Sequence, residues 1–494
     1  MCYYIGQLIE DELKMSEAAD LVPGLDLLFF KKAPPLFNDR PYLIARNALR
    51  VLMMGWQDPA HWAGLISWRT FKAVFLQRDP LLLRAMRVAF QEGFYNLYHE
   101  LKTKCSIEEH QQQVNFYLSN CLSVLPFADI APHHTFKIPQ CIDGVWELVE
   151  YRVVPIELTP THGVDKLFLN DSDRVFAYGL EPMDNANAEP HLIFMGTTYP
   201  AGQGFVTQVC SDVKNETPGA WLYRSGRQRI SDWLDRQSKK THVCGMSLGG
   251  SLSLLLAMDQ GEKLSRVDAL NPPGLMETWF SDPYDNWDDC PAQPDVFIQK
   301  QGNDPVSAFG YWKPEWRVFH VIPPPDKQGP NGFADHALNY AGFAETQFIE
   351  IDVEQENQQR HTRNRWVYGV GRGLLYWLFM VPSRYLVLSA LRVIWEHKLM
   401  LVTAVGVALL FPYLPAIPAT LAVGAVAITF AAYALYKLAL GGQILLGVNQ
   451  VHPPQCHQSV FKLDVNDIAF DQDENGSTEP RAADNEKLTF SRFL

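Results

Sequence analysis

The chain has 494 residues, room for two or three domains, and 42 Lys+Arg against 55 Asp+Glu give a net charge of -13 at pH 7. That mildly acidic balance offers no footing for a nucleic acid, and 47% apolar residues supply a large core. Eight scattered cysteines without a Cys-x-x-Cys pair suit free thiols in a reducing compartment, not a disulfide framework or zinc site.

The N-terminus, MCYYIGQLIEDELKMSEAAD, lacks the basic-then-apolar layout of a secretory signal. Residues 1–130 read as a helical N-terminal region. Met86, Phe90, Phe94, Leu97 and Leu101 recur every three or four positions with Arg87, Glu92 and Glu100 between them. After the polar run Glu108 to Gln113 comes a second apolar set, Val114, Phe116, Tyr117, Leu118, Cys121, Leu122 and Leu125. Trp56, Trp62 and Trp68 are expected to serve packing. His61, His99, His110, His133 and His134 share no metal-ligand spacing, so neither a metal nor any other cofactor is expected.

Residues 131–350 read as α/β. Phe136–Ile142 and Val145–Leu158, joined by Asp143-Gly144, form a hairpin pattern. Further strand runs are Arg174–Leu180, His191–Met195, Thr241–Cys244, Ser265–Leu270, Asp295–Lys300 and, as the last, Trp316–Ile322. Looped or helical connections between them predict a mainly parallel sheet, with its site at the strands' carboxyl ends.

One stretch organises this region. Thr241 to Met258 runs from a β-prone segment through Gly245-Met246-Ser247-Leu248-Gly249-Gly250 into a leucine-rich helix. Strand, Gly-x-Ser-x-Gly, helix is the order of a nucleophile elbow, whose flanking glycines let the chain turn sharply enough to lift the serine clear. Ser247 is the expected nucleophile and the Leu248 amide an expected oxyanion donor. Asp304 and His336 follow strand ends, as Ser247 does, and complete the order Ser, Asp, His. Asp295 and Asp268 are alternative acids, and His320 and His361 alternative bases.

Residues 190 to 340 resemble a class 3 lipase domain. That family's elbow Gly-His-Ser-Leu-Gly-Gly has its counterpart in Gly245–Gly250, and its oxyanion strand Phe-Arg-Gly-Thr in Phe194-Met195-Gly196-Thr197. Asn271-Pro272-Pro273-Gly274, Asn303-Asp304-Pro305-Val306 and Asp335-His336-Ala337-Leu338-Asn339-Tyr340 are similar to its later motifs. Met246 and Met195 depart from the family's histidine and arginine. The resemblance implies an α/β-hydrolase core, the triad Ser247, Asp304 and His336, and an oxyanion hole of Thr197 and Leu248. It also places a lid in Thr198–Arg224; the acidic, aromatic Leu275–Pro294 is a second candidate cover or a plain packing insert.

Beyond 350 the texture changes again. Residues 351–398 read as a basic linker with interfacial or packed helix over Trp366–Trp395, a further membrane span being the alternative. Leu399 to Tyr436 holds 38 positions without a charge, interrupted by the prolines of 411–418, and 399–440 is expected to be a transmembrane hairpin. Arg384, Arg392, Lys398 and Lys437 flank it, so both ends and the hydrolase are expected on the cytosolic side. Residues 441–494 form a polar, acidic tail. The layout resembles the lipase-like effectors that intracellular bacterial pathogens inject into host cells, which implies host membranes as the substrate surface.

The reading is a membrane-tethered serine hydrolase of lipid acyl esters, with lipid and membrane as partners. Its rivals are a hydrolase of soluble esters or thioesters and an inactive membrane-bound scaffold with a hydrolase fold. The pattern carries no information on oligomeric state.

Overall fold

A computed structural model describes residues 24–30, 80–103, 111–162 and most of 165–383, together with the isolated positions Gly424 and Leu435. The gaps within the last stretch are 167–168, 170–172, 198–203, 215, 277–283, 330, 338 and 364–369. The tryptophans at 56, 62 and 68, the hairpin expected over 399–440 and the tail 441–494 therefore lie outside the described residues, those two isolated positions apart. Among the described residues, no helix is long and apolar enough to cross a membrane.

The first described elements are a short helix, α1 (Leu25–Phe29), and the helices α2 (Pro80–Thr103) and α3 (Gln111–Val124). A nine-stranded mixed sheet follows: β1 Thr135–Ile142, β2 Val145–Glu157, β3 Phe176–Pro182 and β4 His191–Phe194 lead to β5 Thr241–Met246. It continues through β6 Leu264–Leu270, β7 Asp295–Gln301, β8 Arg317–Ile322 and β9 Gln347–Ile351. Helices α4 (Phe205–Val213) and α5 (Ala220–Leu234) fall between β4 and β5, and α6 (Leu248–Gln260) between β5 and β6. The helix α7 (Gly332–Ala337) precedes β9; α8 (Val353–Arg363) and α9 (Gly371–Leu375) follow it.

The periodic apolar residues of 86–101 and 114–125 are buried along α2, α3 and the turn after it, as their spacing predicts. The hairpin also forms where expected. Asp143 and Gly144 both adopt positive φ, 51° and 80°, which two-residue hairpin loops require.

Two expectations need correction. Trp316–Ile322 does not hold the last strand, because β9 pairs antiparallel with β8. The sheet is also not mainly parallel. Its pairings divide evenly, with β4 to β8 parallel and β1–β4 and β8–β9 antiparallel.

Strand order across the sheet equals chain order. When successive parallel strands always add on the same side, right-handed crossovers put every connection on one face. That face holds one apolar core, in which α5 and α6 pack through Trp233, Leu252 and Leu255 against Leu192, Val243 and Ile298. The opposite face would stand bare without the segments before β1. There α1, α2 and α3 build a second core with Phe136, Tyr151, Ile193, Phe297 and Phe319. Phe29 anchors it, meeting Phe90, Phe94 and Tyr117 edge to face at 5.7–6.3 Å. The described helices before β1 thus form one outer layer of the α/β sandwich.

Candidate functional site

Strand β5 is buried along its length and delivers the chain to Ser247, whose φ of 55° and ψ of -122° are strained for a residue with a side chain. Such a conformation costs about 1–3 kcal/mol and persists only where the surroundings impose it. Here they do. A Cβ at Gly245 would stand 2.3 Å from Gly249 O, and one at Gly249 would stand 2.0 Å from Phe194 O. The Ser247 amide donates to Leu270 O at 2.8 Å, tying the turn to β6. Helix α6 starts at the next residue, so the Leu248 amide belongs to the first turn, whose N–H groups have no intrahelical acceptor.

Ser247 Oγ lies 2.9 Å from His336 Nε2. His336 Nδ1 lies 3.0 Å from Asp304 Oδ1, although the angle is too bent for a well-formed hydrogen bond. The Asp304 carboxylate is buried just past β7. It accepts the Val306 amide at 2.9 Å on Oδ1 and the Ser307 amide at 3.0 Å on Oδ2. These bonds fix its direction and compensate for its burial. The structure therefore brings Ser247, His336 and Asp304, separated by 57 and 32 positions in the chain, into one connected row.

The alternatives lie elsewhere. Asp295 is exposed at the amino end of β7. His320 Nε2 is spent on Gly302 O at 2.8 Å, and His361 belongs to α8. Asp268 sits in a separate buried network. Its Oδ2 meets His242 Nε2 at 2.9 Å and the Ser119 hydroxyl at 2.7 Å, and Arg266 grips both its oxygens at 2.7 and 2.8 Å. Burial alone would raise this carboxyl; the Arg266 charge and the His242 and Arg266 hydrogen bonds outweigh it and hold it well below its ordinary value. His191 Nδ1 faces His242 Nδ1 at 2.9 Å, and burial, then the His242 charge, pushes His191 well below the usual imidazole range.

Thr197 stands beside the elbow, since a Cβ on its neighbour Gly196 would lie 3.6 Å from Ser247 Cβ. Its hydroxyl donates to Asp212 Oδ2 at 2.8 Å, from the last turn of α4. Gln208 of the same helix donates to Gly196 O at 3.3 Å. The described part of the expected lid, Thr198–Arg224, is thus bonded to the segment just past β4; 198–203 lie outside the described residues. Asp212 has no motif that marks it in sequence. Burial raises its carboxyl to about 7, against the pull of the Thr197 hydrogen bond and the charges of Arg372 and His336.

The second candidate cover is a packing insert over its described part. The Asn286 amide donates to Met258 O, near the end of α6 that points away from Ser247, and Trp287 is buried edge to face on Trp316. Thirteen helical residues separate the two ends, about 18 Å at 1.5 Å per residue.

Two positioning residues were not assigned from sequence. Asn271, φ 46°, donates through Nδ2 to Asp335 O at 3.1 Å and His336 O at 2.9 Å, and accepts the Gln301 amide at 2.8 Å. Asp335 is buried, accepts the Asn303 amide at 2.7 Å and is bonded by the Tyr340 hydroxyl. Together they hold the histidine segment against the ends of β6 and β7. Among the described residues, no group of three or more histidine, cysteine, aspartate or glutamate side chains is arranged to hold a metal ion. No protein-family model matches the chain, and no curated protein matches it.

Proposed function

We propose that the protein is a serine hydrolase of lipid acyl esters, built on an α/β-hydrolase core and held at a membrane by a hairpin over 399–440. The observation that carries the reading is the 2.9 Å approach of His336 Nε2 to Ser247 Oγ on a strained elbow, with Asp304 3.0 Å behind the imidazole. Its order along the chain and the local motifs around it resemble class 3 lipases.

In this mechanism His336 Nε2 takes the Ser247 proton as Oγ attacks the ester carbonyl carbon. Asp304 holds the imidazole's orientation and stabilises the imidazolium. The oxyanion is met by the Leu248 amide and by Thr197; one such donor is worth about 10²–10³ in turnover. Collapse expels the alcohol, which receives the proton from His336, and leaves an acyl group on Ser247. Water, deprotonated by His336, releases the fatty acid and restores the serine.

Lipid is favoured over a soluble ester by the uncharged run Leu399–Tyr436, which would hold the site beside its substrate at high effective concentration. Labelling by a fluorophosphonate probe, lost in Ser247→Ala, tests the serine chemistry; no labelling of the folded protein would leave an inactive scaffold. Faster turnover of micellar than of monomeric ester tests the lipid preference. Carbonate extraction tests the hairpin: release of the full-length chain into the supernatant would refute it. Protease protection of terminal tags in sealed cytosol-side-out vesicles would overturn the cytosolic orientation.

A further inference from the structure

We propose that the helical segment from Gly371 to Met380 docks on a lipid bilayer and that Arg372 transmits this contact to the oxyanion strand. The inference rests on the hydrolase reading and adds a control for it.

The segment has two opposed characters. Six of the eleven exposed large apolar side chains among the described residues fall between 370 and 379, with Trp377, Leu378 and Phe379 the most open of them at 63–64%. Arg372 turns the other way. Its guanidinium donates through Nη2 to Lys214 O and to Glu216 O, the latter at 2.6 Å, just beyond the last residue of α4. A guanidinium on these late carbonyls caps the helix and complements its negative end.

Helix α4 is therefore held at two places. Inside, Asp212 and Gln208 bond Thr197 and Gly196. Outside, Arg372 grips the carbonyls that follow its last turn. Asp212 stands two positions before Lys214, so the two attachments are neighbours along the chain. A shift of the 371–380 segment moves α4, and α4 carries the acceptor of the Thr197 hydroxyl.

A bilayer is the occupant that the chain itself names. The apolar cluster includes a tryptophan preceded by a tyrosine, a pairing suited to the headgroup boundary. The same chain then runs on into the 38 uncharged positions from Leu399 to Tyr436. A membrane that takes up that run is joined to Phe379 by the 19 positions 380–398. Apolar surface leaving water is the driving force for such docking, and three large side chains supply it together.

The test uses the full-length protein with a dansyl amino acid in place of Leu378 and vesicles of equal parts phosphatidylcholine and phosphatidylserine. Bilayer docking shifts the dye emission to the blue and makes it quenchable by brominated lipid. A dye that stays water-like, or that is shielded before vesicles are added, overturns docking: solvent, another part of the chain or a second copy then occupies the face. Coupling is read as the turnover of a soluble short-chain ester with and without vesicles. Wild type should be stimulated about fivefold or more, the lower end of usual couplings. Trp377→Glu with Phe379→Glu, and separately Arg372→Gln, should lose the stimulation while fluorophosphonate labelling without vesicles is kept. Stimulation that survives Arg372→Gln refutes the coupling even if the dye shifts. A wild type that neither labels nor turns over ester sinks the hydrolase reading and the coupling with it, and the dye still judges the docking.

Discussion

The sheet carries a serine, a histidine and an aspartate together in two places, and the same strand, β5, contributes to both. At its amino end His242 joins Ser119 and Asp268, all three buried. Just past its carboxyl end Ser247 meets His336 and Asp304, with the imidazole part-exposed. Composition does not distinguish these clusters; wiring does. In the first, serine, histidine and arginine all converge on one carboxylate; Ser119 Oγ lies 3.3 Å from His242 Nε2, but its hydroxyl donates to Asp268 at 2.7 Å and so does not use the imidazole as its acceptor. In the second the carboxylate is occupied by backbone amides and faces the far side of the imidazole, leaving Nε2 for the serine. One arrangement fixes helix α3 to the strands β5 and β6. The other leaves a proton acceptor next to a strained, reachable hydroxyl.

The sharpest way to break this contrast is to mutate both serines. Ser247→Ala and His336→Ala should each lower ester turnover by about 10⁴-fold or more, and Asp304→Asn by about 10⁴-fold, with unchanged far-ultraviolet circular dichroism. Ser119→Ala should leave the folded protein's turnover within about threefold, since a buried hydroxyl contributes stability of about 1 kcal/mol and no chemistry. Full activity in His336→Ala would make His320 the next residue to test.

Asp268→Asn should act in the opposite sense, on stability and not on turnover. It removes the charge opposite Arg266 and sets an amide NH2 against donors that a carboxylate oxygen accepted, and should cost about 3–5 kcal/mol in denaturant unfolding. Wild-type stability should also fall as pH drops below about 4, because Asp268 is held below its ordinary value when folded and its contribution is lost on protonation.

Asp212 provides the mirror case among buried carboxylates. Folding raises it from 3.8 to about 7, so the stability it contributes is full below 3.8 and is lost as pH rises through about 7. The shift corresponds to about 4 kcal/mol at most, and the groups acting on it are Thr197, Arg372 and His336. Asp212→Asn should match wild type at pH 4 and exceed it at pH 8 in melting temperature. A wild-type advantage at pH 8 would show that the ionised form is the one the fold prefers.

A more modest effect than at Asp268 or Asp212 is expected at Asn271, which belongs to neither cluster but holds one of them. Asn271→Ala removes two donors to the histidine segment and should cost about 1–3 kcal/mol. Its diagnostic sign is turnover that falls more than fluorophosphonate labelling at saturating probe, because the imidazole is misplaced while the serine remains.

The elbow was legible in sequence because every requirement lies within ten residues: a strand, two glycines, a serine and a helix. The two partners of Ser247 were legible because each follows a recognisable strand end. β9 was not. Gln347–Ile351 is short and mostly exposed, and as an antiparallel edge it shows little of the apolar run that marked β5 to β8. Nor was the Ser119 network, whose serine comes from a helix 123 positions before its histidine. Asp212 sits in a sequence, Cys210-Ser211-Asp212-Val213, that announces nothing. Its role arises from burial and from a threonine just past β4, and those exist only after folding.

The sheet's plain order bears on synthesis. Each strand after β1 pairs with the one made just before it, so strands can join one at a time as the chain leaves the ribosome, without waiting for a distant partner. Contacts that span long separations, such as the 89 positions between Ser247 and His336, close last. The nascent protein should therefore be folded but catalytically silent until α7 docks. With β9 ending at Ile351, the sheet is complete before Leu399 is translated, and the uncharged run emerges behind a domain that has already buried its own apolar faces.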